Sequence, residues 1–286
     1  MKNLSLRPAR QDDARVCGFI CFRAFSTLAQ RHGFPSDVTS AQSAIEFMPE
    51  LIEHPGIYAV VAEQDGRVVG SNFLDERNLI RGIGPITVDP DIQARSVGRL
   101  LMEHVLSRAQ EQHAVGVRLC QVAFNNSSLS LYSKLGFQFR EPLSAMQGTP
   151  PDVTVPGHKV RAATMEDFGS CNDLCHRVHG HDRSGELRDA VTDGTARVAE
   201  SHNVVTGYAT NLSYDGHVIG RANDDLQALI CSADAFGGTG ILIPTRNTEL
   251  FRWCLDHDLQ IIQQMSLMTT GLYNEPQGAW MPSVLY

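Results

Sequence analysis

The segment QARSVGR at residues 93–99 combines side chains and a helix start that could bind an anion. It follows an apolar strand and opens an amphipathic helix predicted over about 97–112. A helix N-terminus points free backbone N–H groups at a ligand, with the positive end of the helix dipole behind them, which suits a phosphate or pyrophosphate. Arg95 and Arg99 would add charge-assisted hydrogen bonds. The alternative is an ordinary helix start at which Gly98 permits close packing.

A second polar segment, NNSSLSLYSKLGF at residues 125–137, lies one helix and one strand further along the chain. Asn125 ends the short apolar strand VRLCQVAF, and Tyr132 follows in a helix that closes with Gly136. The order is strand, QxxxxG helix, strand, NxxSxxLY helix and a strand entered through Gly-Phe. This order is more specific than either motif alone.

At these residues the sequence resembles the GNAT superfamily of acetyl-CoA-dependent N-acetyltransferases. The family's pyrophosphate motif falls on Gln93, Ser96 and Gly98. Ser96 stands where the first glycine of that motif is usual, and a serine is small and can itself donate a hydrogen bond to phosphate. The family's second motif falls on Asn125, Ser128, Leu131, Tyr132, Gly136 and Phe137.

The resemblance implies acetyl-CoA as co-substrate, a primary amine of a small molecule or peptide as acceptor, and direct transfer in a ternary complex. It also implies that Tyr132 protonates the departing thiolate, and a positioned acid contributes ~10²–10⁴-fold to such a rate. The alternative for Tyr132 is a buried helix tyrosine whose hydroxyl bonds the backbone. The cofactor-binding residues implied by the family are Ile86, Val88, Gln93, Arg95, Ser96, Val97, Gly98, Arg99, Asn125 and Ser128.

The base that would deprotonate the acceptor is less well defined. An amine with a pKa near ~10.4 is mostly protonated at neutral pH, so its proton must be removed. Many family members carry a glutamate in the strand before the pyrophosphate motif, but the segment LIRGIGPITV has no carboxylate. Asp75 and Glu76 are the nearest candidates. They could equally be solvated loop charges, and a water chain without a dedicated base is a further possibility.

Composition limits the classes of partner and compartment. The net charge of −8 argues against nucleic-acid binding, and no apolar run is long enough for a membrane span. Seven scattered cysteines and a start without the apolar core of a signal peptide predict a reducing cytoplasm. The cysteines four residues apart are predicted to be core residues, and no metal site is expected. These are Cys17 with Cys21 and Cys171 with Cys175.

The sequence contains an internal repeat. The segment from Leu6 matches the segment from Val160 in its arginine, acidic pair and two cysteines. A second match pairs Tyr58 with Tyr208, and Asp65-Gly66 with Asp215-Gly216, as hairpin turns. The family resemblance implies an α/β (α+β) fold with two GNAT-like domains, each a mixed, mainly antiparallel sheet flanked by helices. The predicted domains are 1–147 and 160–286, joined by a proline-rich linker at 148–159.

The second copy is predicted to lack the cofactor chemistry. Asn247 aligns with Asn125, which puts Cys254 in the place of Tyr132. The offset between the copies falls from 150 at the hairpin to 122 at the last helix, so the second copy has 28 fewer residues between these two elements. The turn and helix of the pyrophosphate motif are therefore expected to be missing. The segment ADAFGGTG is all that would remain. This half would shape the acceptor pocket or act as an internal pseudo-dimer partner, in a monomer or a homodimer.

Two other functions and one other mechanism are alternatives. A non-catalytic acyl-CoA-binding sensor or interaction protein would share the cofactor site. A metal-dependent enzyme would use the histidines at 176, 179 and 181, although a loop after a helix is the simpler reading of that cluster. A covalent acetyl-enzyme on Cys120 would need a partner base, and none is evident.

Overall fold

Strands and helices alternate along the chain in two similar runs. The computed structural model describes residues 4–92 and 96–285. The first run consists of β1 Leu4–Pro8, α1 Ala14–His32, α2 Ala41–Glu53, β2 Ile57–Gln64, β3 Arg67–Asp75, β4 Ile80–Ile83, β5 Thr87–Val88, α3 Val97–Glu111, β6 Gly116–Val122, α4 Asn126–Lys134 and β7 Gln138–Gln147. The second consists of β8 His158–Ala162, α5 Phe168–His179, α6 Ser184–Thr192, β9 Arg197–Ser201, β10 Val204–Ala209, β11 Val218–Gly220, α7 Asn223–Cys231, β12 Ile241–Pro244, α8 Thr248–Asp256, β13 Gln260–Gly271 and β14 Ala279–Met281.

The strands form two sheets flanked by helices, as predicted. The larger sheet has the order β1-β2-β3-β4-β6-β13-β7-β12, with β5 beside β3. Its β4–β6 pair is parallel and its other pairs are antiparallel. The smaller sheet, β14-β11-β10-β9-β8, is antiparallel. The predicted mixed, mainly antiparallel architecture is confirmed.

Strand β13 crosses from the second half into the larger sheet. It lies between β6 and β7, so Leu267 is opposite Cys120 on one side and Glu141 on the other. Its middle residues, 265–269, are all buried, as is typical of a strand with neighbours on both edges. The predicted boundaries at 147 and 160 therefore divide the sequence repeat but not the hydrogen-bonded sheets.

Matching ion pairs at the start of each half support the repeat. Arg7 binds the Asp13 carboxylate through two nitrogens, at 2.7 and 2.9 Å, and Glu63 at 2.8 Å. This arrangement ties β1 to the first turn before α1 and to β2. The second half repeats it with Arg161 bound to Asp167 (2.7 Å for both bonds) and to Glu200 (2.6 Å).

The hairpin alignment predicted from the sequence is wrong for the second half. Asp65-Gly66 does form the turn between β2 and β3, with φ of 50° and 76°. Its structural counterpart is His202-Asn203, with φ of 51° and 62°, between β9 and β10. Asp215-Gly216 instead lies in the longer connection between β10 and β11. The Asp-Gly pair favours a tight turn, but His-Asn adopts the same left-handed backbone here.

The helix expected to be missing from the second half is present. Helix α7 packs on β10 as α3 packs on β3, although it has 9 residues where α3 has 15. The wrong hairpin alignment placed this helix inside the apparent deletion. Its acidic start, NDD, also has no resemblance to the QARSVG segment.

The two halves share a hydrophobic core. Ile80 and Val122 of the larger sheet belong to the same buried cluster as Leu174, Leu187 and Trp280 of the second half. The free cysteines at 17, 21, 171 and 175 are buried, as predicted. Within the described residues, 4–92 and 96–285, no helix is long and apolar enough to cross a membrane.

Candidate active site

A cleft opens in the larger sheet between β5 and β6. Strand β4 pairs with β6 over Ile80–Gly82, whereas β5 pairs with β3, and no described ladder joins β5 to β6. A cavity of about 820 Å³ occupies this opening. Its volume falls within the 300–1,000 Å³ usual for small-ligand sites. Residues lining it on the cleft side are Ile86, Thr87, Val88, Leu119, Gln121, Asn125, Ser128 and Tyr132.

The β5 strand presents one backbone edge to the cleft. Thr87 is paired with Ser71 and Val88 with Gly70 on the other edge. A strand with one unpaired edge can extend its ladder to an elongated ligand through N–H and C=O groups. The position of Ile86 and Val88 on the cavity wall fits the role that the family resemblance implied.

The start of α3 lies beside this edge. Val97 is fully buried, and the Ser96 carbonyl accepts the first helical hydrogen bond from the Leu100 N–H at 2.9 Å. A Cβ placed on Gly98 would meet Val88 at 3.8 Å and Leu131 at 3.9 Å, which are ordinary contacts. Close packing therefore does not require glycine here, and the missing side chain leaves room beside the helix start.

The remaining residues of the predicted anion site are Gln93, Arg95 and Arg99. Gln93 and Arg95 lie outside the described residues. The Arg99 guanidinium pairs with Glu103 at 3.1 Å on the solvent side of α3 and does not line the cavity. The structure therefore places Ser96, Val97 and Gly98 at the helix start without bringing the Arg99 side chain into the cleft.

One face of α4 carries a short polar chain into the cavity. The Asn125 side chain caps the helix by accepting the Ser128 N–H at 3.1 Å, and it donates to the Ser128 hydroxyl at 2.7 Å. The Ser128 hydroxyl in turn bonds the Tyr132 phenol, one helical turn on. Burial raises the pKa of Tyr132 to about 12, and the Ser128 bond opposes that rise. The phenol on the cavity wall is thus protonated at neutral pH.

Comparison with known proteins agrees with this geometry. Residues 24–137 match the model of the acetyltransferase (GNAT) family. Residues 24–137 are thus similar to a GNAT-family domain. A 64-residue stretch is 39% identical to the [ribosomal protein bS18]-alanine N-acetyltransferase of Salmonella typhimurium. The matched stretch covers 22% of this chain and 40% of that enzyme's length.

Two solved structures share the fold of nearly the whole chain. A candidate acetyltransferase from Pyrococcus horikoshii superimposes with a TM-score of 0.71 at 18% identity, over 96% of this chain and 91% of that one. A tandem GNAT protein from the clavulanic acid biosynthesis pathway gives a TM-score of 0.57 at 12% identity, over 97% and 99%. The chain therefore has a tandem GNAT fold.

The structure does not bring the two predicted bases of the GNAT domain to the cavity. Asp75 pairs with Arg77 at 2.6 Å, and Arg77 also binds Asp189 of α6 at 2.8 Å. Glu76 pairs with Arg108 of α3 at 2.5 Å. Neither carboxylate lines the cavity. The structure therefore gives no support to Asp75 and Glu76 as bases at this cavity.

The cavity is also lined by residues that the sequence did not single out. Asp37, in the loop between α1 and α2, lines it together with Tyr214 and Met265 of the second half. Burial raises the pKa of Asp37, while hydrogen bonds from Gln263 and Tyr214 oppose that rise. No local motif marks Asp37, since its partners lie far along the chain.

The structure does not place the histidine cluster at the cavity, and it gives no support to a metal site among the described residues. His179 and His181 are buried beside the end of α5, and neither they nor His176 lines the cavity. Among the side chains that the structure describes, no group of three His, Cys, Asp or Glu residues could hold a metal ion. Cys120 lines the cavity, but burial raises the pKa of its thiol to about 12, which disfavours a thiolate nucleophile.

Proposed function

We propose that this protein is an acetyl-CoA-dependent N-acetyltransferase that passes an acetyl group directly to a primary amine. The observation that carries the proposal is one continuous cavity. The β5 edge, the Tyr132 phenol and a pocket built partly by the second half all line it. From the composition and the seven free cysteines we propose a cytoplasmic location. We propose that the protein acts as a monomer or a homodimer.

The residues present fit acetyl-CoA along the cleft. The pantetheine arm would add hydrogen bonds to the free edge of β5 at Ile86 and Val88. The N–H groups at Ser96, Val97 and Gly98, at the positive end of α3, would receive the pyrophosphate. Gly98 leaves space for that approach, because a Cβ there meets nothing closer than 3.8 Å.

Acetyl-CoA would supply an activated acetyl thioester, and the chain's own groups would manage the protons. Tyr132 holds a proton on the cavity wall and would give it to the sulfur as the thiolate leaves. A thiol has an ordinary pKa near ~8.5, below that of the phenol. The same burial that raises the pKa of Tyr132 would raise the proton affinity of a thiolate formed beside it, because a low-dielectric site disfavours an unpaired anion.

Calorimetric titration of acetyl-CoA into the full chain tests the proposal. We expect one site per chain. Gly98→Ala should weaken acetyl-CoA binding by about 10-fold through steric exclusion, while the melting temperature stays the same or rises, because alanine is the better helix former. Asp224→Ala, at the corresponding helix start of the second half, is the matched control and should leave affinity unchanged.

The outcomes separate the candidate functions. Failure to bind acetyl-CoA would contradict the proposal. Binding without amine-dependent thiol release across a panel of primary amines would instead indicate a non-catalytic acyl-CoA-binding protein. Two sites per chain would show that the second half retains a working cleft.

A further inference from the structure

Asp37 is held on the cavity wall by two residues of the second half. Its Oδ2 accepts a hydrogen bond from the Tyr214 hydroxyl at 3.1 Å, and its Oδ1 accepts one from the Gln263 side-chain amide. Tyr214 precedes β11 and Gln263 belongs to β13. The carboxylate is thus fixed in place by neutral donors that orient it without cancelling its charge.

The charges on the cavity wall favour a cationic ligand. The described lining residues with charged side chains are Asp37, Asp215 and Arg31, two acids and one base. Neither hydrogen-bond partner of Asp37 is a cation, and no cation contributes to the environment that shifts its pKa. An anion removed from water without a counter-charge is costly, so this position is suited to bind a positive group.

We propose that Asp37 binds the ammonium group of the acceptor amine and takes one of its protons. This assignment rests on the acetyltransferase function proposed above. It replaces Asp75 and Glu76, which are committed to ion pairs outside the cavity.

The walls around Asp37 define the rest of the acceptor. Phe25 and Leu28 of α1, Phe47 and Met48 of α2, and Met265 of β13 line the same cavity. These side chains offer apolar contact on several sides of one fixed carboxylate. The substrate class that fits is a primary amine carried on an apolar alkyl or arylalkyl body.

Asp37 takes one proton from the ammonium group, which frees the nitrogen lone pair to form a C–N bond with the acetyl carbonyl carbon. The C–S bond breaks and its electron pair leaves with the sulfur, which Tyr132 protonates. The second nitrogen proton restores Tyr132, and the proton on Asp37 passes to solvent. One proton is released for each acetyl group transferred.

The surroundings of Asp37 set the pH dependence. The titratable groups facing it are Tyr214 and, on α1, Cys21, with Arg31 and Asp215 elsewhere on the wall. Burial raises the pKa of Asp37. As the pH falls, the carboxylate should therefore become neutral at a higher pH than an ordinary aspartate, and ammonium binding should be lost there.

A pair of isosteric probes tests the assignment on the full chain in the presence of saturating CoA. Calorimetric titrations of 2-phenylethylamine and 2-phenylethanol compare an ammonium with a neutral hydroxyl on the same body. Wild-type protein should bind the amine about 10-fold or more tightly than the alcohol, and Asp37→Asn should bring the two affinities within about twofold. Asp215→Asn removes an equal charge from the same cavity and should reduce the preference by less than about threefold.

A second variant guards against a folding artefact. Tyr214→Phe keeps the carboxylate but removes a donor to its charged form, so the amine preference should survive and its loss on acidification should move to higher pH. A wild-type protein that binds both probes equally, or a preference that survives in Asp37→Asn with an unchanged melting temperature, would overturn the assignment. Binding of acetyl-CoA is measured separately, so failure of the acetyltransferase proposal is distinguishable from failure of Asp37.

Discussion

The cleft of the first half and the corresponding region of the second half share a helix-capping arrangement but differ in the residues that would face a ligand. Both have a helix that starts with an asparagine cap, since Asn125 and Asn247 each accept a main-chain N–H three residues on, at 3.1 and 3.3 Å. In the first half the cap leads to Ser128 and Tyr132 on the cavity wall. In the second half Cys254 stands in the place of the tyrosine and is fully buried.

The helix starts differ even more. Ser96 and Gly98 leave an uncharged opening at α3, whereas α7 begins with Asn223, Asp224 and Asp225. The side chains of Asn223 and Asn247 also bond each other, at 2.8 and 3.2 Å, which joins the starts of α7 and α8. A pyrophosphate would meet acidic side chains and a closed gap there. The repeat therefore preserves the supporting contacts, while the residues that would face a ligand diverge.

The largest expected effect concerns the strand that joins the halves. Leu267→Ala, in the buried centre of β13, should lower the free energy of unfolding by about 2–5 kcal/mol, because it leaves a cavity between the shared layers. Denaturant titration should show one transition for both halves. Leu255→Ala, on the exposed side of α8, is the control and should cost less than about 0.5 kcal/mol. Two separate transitions would show that the halves unfold independently.

The next effect addresses the residue that differs between the two clefts. Tyr132→Phe should reduce amine-dependent thiol release by about 10²-fold while acetyl-CoA affinity stays within about twofold, because only the proton donor is lost. Cys254→Ala at the corresponding position should leave the specific rate unchanged. Steady-state thiol detection measures both, and an unaltered rate in Tyr132→Phe would show that the acid is another group.

A smaller effect tests the ion pair that both halves keep. Arg161 lowers the pKa of Asp167 to about 2. A lowered folded-state pKa gives stability that is present above the unfolded pKa of ~3.9 and is lost as the pH falls toward 2. Asp167→Asn should therefore cost about 1–2 kcal/mol at neutral pH, after allowance for solvent screening, and the cost should vanish in acid.

The corresponding first-half variant sharpens this test. Arg7 also lowers the pKa of Asp13, and the bond lengths match within 0.2 Å. Asp13→Asn should show a similar dependence on pH in urea titrations from pH 2 to pH 7. A pH-independent loss in either variant would mean that packing, rather than charge, explains the effect.

The smallest effect separates structure from function at the two caps. Asn125→Ala and Asn247→Ala should each destabilise the protein by about 1 kcal/mol, because each leaves a helix N-terminus without its side-chain acceptor. Asn125→Ala should also weaken acetyl-CoA binding, whereas Asn247→Ala should not. Equal effects on acetyl-CoA affinity would contradict the assignment of the cleft to the first half.

The residues proposed to bind acetyl-CoA could be predicted from the sequence because they lie close together along the chain. Ser96 and Gly98 open one helix, and Asn125, Ser128 and Tyr132 lie on the next, so spacing within single elements was sufficient. The acceptor side depends on pairings between distant segments. Asp37 meets Gln263 because β13 enters the larger sheet, and no pattern within either segment encodes that pairing.

The structure differs from two expectations, the second hairpin turn and the position of the acidic residues, for similar physical reasons. Asp215-Gly216 has the composition of a tight turn, and the His202-Asn203 pair that forms the turn has weaker turn propensity. Asp75 and Glu76 lie near the cleft in sequence, but Arg77 and Arg108 hold them in ion pairs elsewhere. Charge type alone could not distinguish a base facing a cavity from an acid that joins two elements.

The position of β13 also imposes an order of events during synthesis. Strands β6 and β7 cannot join one sheet until β13 has emerged, because β13 lies between them and its Leu267 pairs with both Cys120 and Glu141. At a translation rate of about 5–20 residues per second, residues 148–271 require roughly 6–25 seconds. Before β12 and β13 are synthesised, β7 lacks both of its partner strands and β6 lacks its partner on one edge. The cleft of the first copy is therefore complete only after β13 of the second copy has been synthesised.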